Sequence, residues 1–360
     1  MYYFVFIVLL FFSVMEIGTA RKNLLWFNIA YVLMLFMAMF RYGQLADYIN
    51  YEDVYVFPES TGIFGADQSI TDPLFFFLIE AFKFLGFSYQ GFVMIVAMVT
   101  MGLSYPFFYK QCKGSIFALM VFYCYVFLIL PMSAIRQGIC LSMMLYGFSL
   151  LVEGKKIRYC ILVLIGMFVH FSMIACILIA FLYDKKFFNK SFVSWGVLGV
   201  TCFAVVIPDL TSYLPEFIIG KSLGEYGESK LLQVLIRFLL ILPVLYVKPD
   251  PESDIYYAKA ICIVGYVIYC LFSFIPTASA RMEFYFRVFL CLYVASLVLA
   301  EERIYFGNML LGTILAIHVF LFFKNMNAAI AQGEYNQDKV TMFNFPYVSI
   351  FDKEELQQYK

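Results

Sequence analysis

Two histidines occur among the 360 residues, and one of them, His170, stands in the middle of an apolar run more than 20 residues long. Holding an ionisable side chain at membrane depth costs about 3 kcal/mol on insertion scales, so a partner or a reaction is needed to explain it. A neutral imidazole there can serve as a general base; a hydrogen bond to a backbone carbonyl is the plainer alternative. His318, near the centre of the last apolar run with no polar neighbour at helical spacing, suits the plainer role. Asp47 follows Arg41 by six residues and could act as a base or hold that guanidinium in place. Tyr48, Tyr51 and Tyr55 then fall at i, i+3 and i+7, on one face of a helix. Such a face suits stacking on sugar rings, or equally an aromatic belt at a membrane surface.

Arginines supply the remaining chemistry. The stretch from Pro131 to Gly138 is a tight turn between two apolar runs, and it sets Arg136 at a helix entrance. There its fork of donors and the free backbone N–H groups could grip a phosphate, with Gln137 as a further donor and Gly138 leaving room for close approach. An arginine that merely snorkels to the surface is the alternative. Glu283 and Arg287 are spaced i, i+4 with the acid first, a favourable helical pair, while Arg281 lies one and a half turns from Arg287 and stays free to face a cavity. Arg237, four residues after Gln233 in another apolar run, needs an anion or a carboxylate. Several arginines with few lysines among them suit a pyrophosphate better than a metal, and neither a metal nor an organic cofactor is expected.

These side chains need elements to carry them, and the composition says which. Hydrophobic residues make up 63% of the chain and charged residues 14%, against about 25% charged in soluble domains, so a soluble globular fold is excluded. Lys+Arg and Asp+Glu balance at 25 each with no basic run, which excludes nucleic acid as a partner. The fold class is an all-α polytopic membrane protein. About ten spans are expected, near 2–20, 24–40, 88–108, 115–132, 133–152, 191–208, 230–247, 255–275, 281–300 and 305–324.

Two further segments do not fit the count: 73–86 reads as a re-entrant or interfacial helix, and 159–183, long enough to cross once, reads as a hairpin. Residues 73–86 are too short to cross, and 159–183 have basic flanks at both ends, Lys155, Lys156 and Arg158 before and Lys185, Lys186 and Lys190 after. The positive-inside rule then puts both flanks in the cytoplasm, with a hairpin turning near Phe168 to Ser172. Residues 1–324 form the expected membrane domain; 325–360 form a tail that lies in the interface or closes over the site as a lid.

Arg21 and Lys22 place the first short loop inside, and alternation makes the acidic loops 41–72 and 209–229 external. Arg41, Asp47, Arg136, His170, Arg281 and Arg287 then approach one external face from five segments. Nine cysteines without CxxC spacing read as small core residues. Gly220-Lys221-Ser222 ends like a phosphate loop but has Pro215 where its first glycine belongs, and the acidic stretch Asp250 to Asp254 reads as a solvated turn.

The order of these motifs resembles the EpsG family of bacterial polysaccharide polymerases, related in kind to O-antigen polymerases. Arg41 with Asp47, Tyr48 and Tyr51, then Ile135-Arg136-Gln137, Phe168 with His170 and Ser172, Arg281 with Tyr285, Phe286 and Arg287, and late Pro346-Tyr347 carry the likeness. Gly138 and Cys140 depart from the small, often alanine, residues expected after the Arg-Gln pair. The resemblance implies that oligosaccharide repeat units on undecaprenyl pyrophosphate are joined at the outer face of the bacterial inner membrane. It also implies the bilayer and other polysaccharide-export proteins as partners. In that reading His170 or Asp47 is the base, Arg136, Arg281, Arg287 and Arg237 hold pyrophosphate, and Arg41, Tyr48, Tyr51 and Gln137 hold glycan. A transporter or flippase of a lipid-linked or anionic solute, or a glycan ligase, would use a similar cavity.

Overall fold

The computed structural model describes residues 1–57, 72–183, 190–206, 230–246, 254–273, 276–298, 305–333, 335–336 and 338–359. The loop 209–229, Lys185, Lys186, the phosphate-loop look-alike and most of the acidic stretch 250–254 lie outside them. The described chain is helical, with no strand beyond one isolated bridge. Of the ten expected spans, four are single helices long and apolar enough to cross a bilayer: Tyr2–Thr19, Tyr89–Gln111, Ile135–Val152 and Leu311–Ala331. The rest are shorter helices among the described residues, and in two of the runs, 115–132 and 281–300, a turn ends a helix inside the apolar stretch. This is a polytopic all-α membrane protein.

Helices α1 (Tyr2–Thr19) and α2 (Leu24–Phe40) form the first pair, with Asn23 capping α2 through a bond from the Trp26 N–H. A short helix, α3 (Ala46–Val56), follows, then α4 (Pro73–Phe84), which opens on proline, the residue best suited to a first turn. Twelve residues reach only about 18 Å, so α4 cannot cross a roughly 30 Å core. Next come α5 (Tyr89–Pro106) and α6 (Ser115–Phe122), each widening into a π turn at its C-terminus, and then α7 (Ile135–Val152). Buried Glu16 of α1 caps α6 from outside, accepting from the Ile116 and Phe117 N–H groups at 3.0 Å each.

The segment expected to form a hairpin does so. Helix α8 (Lys156–Met167) stops at Phe168, and a 3-10 turn (Phe171–Cys176) leads into α9 (Ile177–Leu182). The Tyr159 hydroxyl donates to the Cys176 carbonyl at 2.7 Å, whereas seventeen residues of straight helix would hold them about 25 Å apart. Gly166 allows the return: a Cβ there would collide with the Met173 sulfur.

The remaining helices are α10 (Lys190–Val206), α11 (Lys230–Tyr246), α12 (Asp254–Leu271), α13 (Pro276–Arg287), α14 (Phe289–Val298) and α15 (Tyr305–Gln332). The expected span 281–300 is thus two helices broken at Val288, and α15 runs past the expected boundary at 324. The tail folds back over the start of α1 and the end of α2. Tyr42 N–H donates to the Val348 carbonyl at 3.0 Å, Ile350 N–H to the Phe40 carbonyl at 2.9 Å, and Gln44 Nε2 to the Pro346 carbonyl at 2.6 Å.

Candidate functional site

One carboxylate organises the centre of the site. Asp72 precedes Pro73 at the start of α4, the usual place for a capping acid, yet it makes no cap bond to its own helix. Its oxygens turn to three donors from elsewhere. Oδ2 accepts from Arg136 Nη1 at 2.6 Å and lies 3.3 Å from His170 Nδ1; Oδ1 accepts from the Phe171 N–H at 3.1 Å. Leu74 N–H donates to the Phe168 carbonyl at 2.9 Å, so the hairpin tip and the start of α4 are tied on both sides of His170. Burial alone would raise the Asp72 carboxyl; the His170 bond, with the nearby His170 and Arg136 charges and the Phe171 amide, outweighs it and holds the acid below the usual carboxylate range.

Arg136 reaches Asp72 from the second position of α7, where the turn 131–134 delivers it. Its Nε donates to the Tyr51 hydroxyl at 3.4 Å, and the rings of Tyr51 and Phe75 lie 5.8 and 5.7 Å from its guanidinium carbon. Gly138 makes the turn possible, since a Cβ there would stand 2.9 Å from the Leu130 carbonyl oxygen. That accounts for glycine where alanine was expected. Cys140, the other departure, lies with its sulfur 3.3 Å from the Gly166 carbonyl, so a thiol stitches α7 to the hairpin.

Two more chains complete the rim. Asp47 sits in the first turn of α3, and its backbone N–H donates to Ser133 Oγ at 3.4 Å. Burial raises its carboxyl, against the pull of Arg281 and Arg136. Gln137 reaches across from α7 and donates to the Arg281 backbone carbonyl at 2.6 Å, fixing α13 beside the site. The Arg281 side chain is exposed and makes no ion pair among the described residues. One turn on, the Tyr285 hydroxyl pairs with Ser172 Oγ at 3.0 Å. Asp47, Asp72, Arg136, His170 and Arg281 therefore gather from five segments of chain.

The structure takes the other expected residues elsewhere. Glu283 and Arg287 face away from Arg281 around α13, and Glu283 Oε2 accepts from Arg237 Nε at 2.7 Å as well as pairing with Arg287 Nη1 at 3.2 Å. Arg237 also lies over the Tyr269 ring and Arg287 over Tyr125, at 3.9 and 4.0 Å. The carboxylate that Arg237 needed is thus Glu283. Arg41 is 1% exposed and donates to the Ala38 carbonyl at 2.7 Å, in a nest of Tyr2, Tyr48, Tyr89 and Tyr347. Tyr48, Tyr51 and Tyr55 are buried; Tyr48 donates to Gln90 Oε1 at 2.8 Å and Tyr55 to the Phe87 carbonyl at 2.7 Å. Tyr48 and Tyr55 pack α3 onto α5 while Tyr51 turns to Arg136 and Phe75, and all three rings are buried. His318 Nδ1 lies 2.7 Å from the Ile314 carbonyl, as its plain surroundings suggest.

Asp72 is the residue that sequence reasoning left unassigned. Its one local signal is the Asp-Pro pair opening a helix. No group of three His, Cys, Asp or Glu side chains able to hold a metal occurs among the described residues.

A buried carboxylate that fixes a histidine and an arginine, beside an arginine with no ion pair among the described residues, lies on a multi-pass helical scaffold. The EpsG family matches residues 24–349, and the chain belongs to that family. Searches of curated proteins and of solved structures found no match. Of the motifs that suggested the family, Arg136-Gln137, Phe168 with His170 and Ser172, and Arg281 with Tyr285 converge here, whereas Arg41, Arg287 and Pro346-Tyr347 lie elsewhere.

Proposed function

We propose that the protein polymerises oligosaccharide repeat units carried on undecaprenyl pyrophosphate, by glycosyl transfer at the outer face of the bacterial cytoplasmic membrane. The observation that carries this reading is the His170–Asp72–Arg136 array beside Arg281. With Nδ1 turned to Asp72, Nε2 is left as the second ring nitrogen and makes no hydrogen bond among the described residues. In the neutral tautomer Nδ1–H donates to the carboxylate and Nε2 carries the lone pair, the arrangement by which an acid orients a histidine base. Nε2 takes the proton of the acceptor sugar hydroxyl as its oxygen bonds to the donor's anomeric carbon. The bond from that carbon to the pyrophosphate oxygen breaks, and undecaprenyl pyrophosphate leaves. Asp72 steadies the imidazolium that forms, and Arg136 steadies Asp72.

Charge develops on the leaving pyrophosphate, and Arg281 is the cation placed to meet it. Arg136, already committed to Asp72, supports from behind. Arg237 and Arg287 are bound to Glu283, so the pyrophosphate role narrows to Arg281. Asp47 lies within the fields of Arg281 and Arg136 and serves the acceptor glycan in this reading.

Purified protein in nanodiscs, given a lipid-linked repeat unit and no energy source, tests the proposal. Elongated glycan is the expected product, lost in His170→Ala. In sealed vesicles, lipid that changes leaflet without elongation would make the protein a transporter, and transfer to an unrelated lipid acceptor would make it a ligase.

A further inference from the structure

The hairpin of α8 and α9 has one face packed and one face open. Tyr159 and Val163 on the first arm, and Met173, Cys176 and Ile179 on the second, are buried. The opposite face carries Ile161, Leu164 and Phe168, then Phe171, Ile174 and Leu178, all exposed and spaced by three or four residues. On each arm that spacing makes one continuous apolar stripe. Bilayer lipid covers any such face of a membrane protein; what distinguishes this one is where its upper end lies.

Phe168 and Phe171 are 57% and 59% exposed, and they stand two before and one after His170. Their backbones are the groups bonded to the site: the Phe168 carbonyl accepts from Leu74 and the Phe171 N–H donates to Asp72. The stripe therefore starts at the polar array and cannot drift from it. Its first arm, from Ile161 to Phe168, runs about 10 Å along the helix away from the site. A molecule with a charged head and a long apolar tail is the one that engages both at once.

We infer that this face is the docking track for the polyprenyl chain of the lipid-linked substrate, and that the site opens sideways to the bilayer along the hairpin. The inference rests on the polymerase reading and names the part of the substrate that the hairpin receives. The head meets His170 and Arg281 while the chain lies down the Phe168 and Phe171 stripe.

Two measurements on the full-length protein in nanodiscs test it. Elongation is followed with a repeat unit on undecaprenyl pyrophosphate and with the same unit on geranyl pyrophosphate, for wild type and for the double variant Leu164→Ser/Ile174→Ser, exposed stripe positions that make no bond to the site. The expected result is a fall of about tenfold in kcat/KM for the long lipid with the short one unchanged, the size of effect that lost apolar contacts have on discrimination. An equal fall for both lipids, or none, overturns the track while leaving the polymerase reading intact. If wild type elongates neither lipid, it is the polymerase reading that fails. A benzophenone amino acid at Phe168, compared with one at Phe36 on the exposed face of α2, gives a readout independent of turnover. Capture of undecaprenyl-linked glycan at 168 and not at 36 supports the track; equal capture means that the chain is only part of the bulk lipid.

Discussion

At Asp72 a single carboxylate holds a guanidinium, an imidazole and a backbone amide, and each bond constrains the other two. Asp72→Asn keeps the shape but can no longer favour the Nδ1–H tautomer of His170, so kcat should fall about 100-fold or more, measured by elongation. The acid is held below its ordinary value, so its contribution to stability is complete above the usual carboxylate range and is lost as pH falls through the lower folded value. Thermal melts of wild type should therefore gain nothing from this group between pH 7 and pH 5. Gly138→Ala pushes the Leu130 carbonyl away and with it the turn that carries Arg136; it should cost about 1–3 kcal/mol and lower activity. His170 and Arg136 were legible as isolated polar residues in apolar surroundings. Asp72 was not, because it is one of several acids in the stretch 41–72 and its partner is 64 residues away.

Helix α13 works as a partition between two polar clusters. Arg281 and Tyr285, four residues apart, share the face toward the hairpin, while Glu283 and Arg287 share the face toward Arg237. Glu283→Ala removes the shared carboxylate of buried Arg287 and half-buried Arg237 and should destabilise the protein by about 3–5 kcal/mol, read as a lower Tm in detergent. Glu283→Gln should recover part of that loss. If activity fell in either variant with Tm unchanged, Glu283 would belong to the chemistry and not to the frame. The i, i+4 pair was visible in the sequence because helical spacing is local. That Arg237 joins it was not, because the contact depends on how α11 packs beside α13. The hairpin was legible for a different reason: basic residues at both ends of one apolar run conflict with a single crossing.

Across the whole molecule, the tail clasps the elements that precede the site. Its bonds to Phe40, Tyr42 and Gln44, and that of Tyr347 to the Met37 carbonyl at 3.0 Å, brace the segment leading into α3 and hence Asp47. Truncation after Gly333 should lower Tm and reduce elongation, with His170 and Asp72 untouched. The membrane class was plain from composition, since a chain with 14% charge has no other way to bury its surface. The lengths of individual spans were not, because hydropathy cannot see the turns at 128–134 and Val288 that end helices inside apolar runs. On the proposed function, a single site open to one side of the membrane gathers these segments. Added cysteines at Ser133, Ser172 and Arg281, in a protein with the accessible Cys160 and Cys202 changed to serine, test it with an impermeant maleimide on right-side-out vesicles. All three should label from outside, and added lipid-linked repeat unit should slow all three together. Labelling of any one from the cytoplasmic side alone would contradict the shared site.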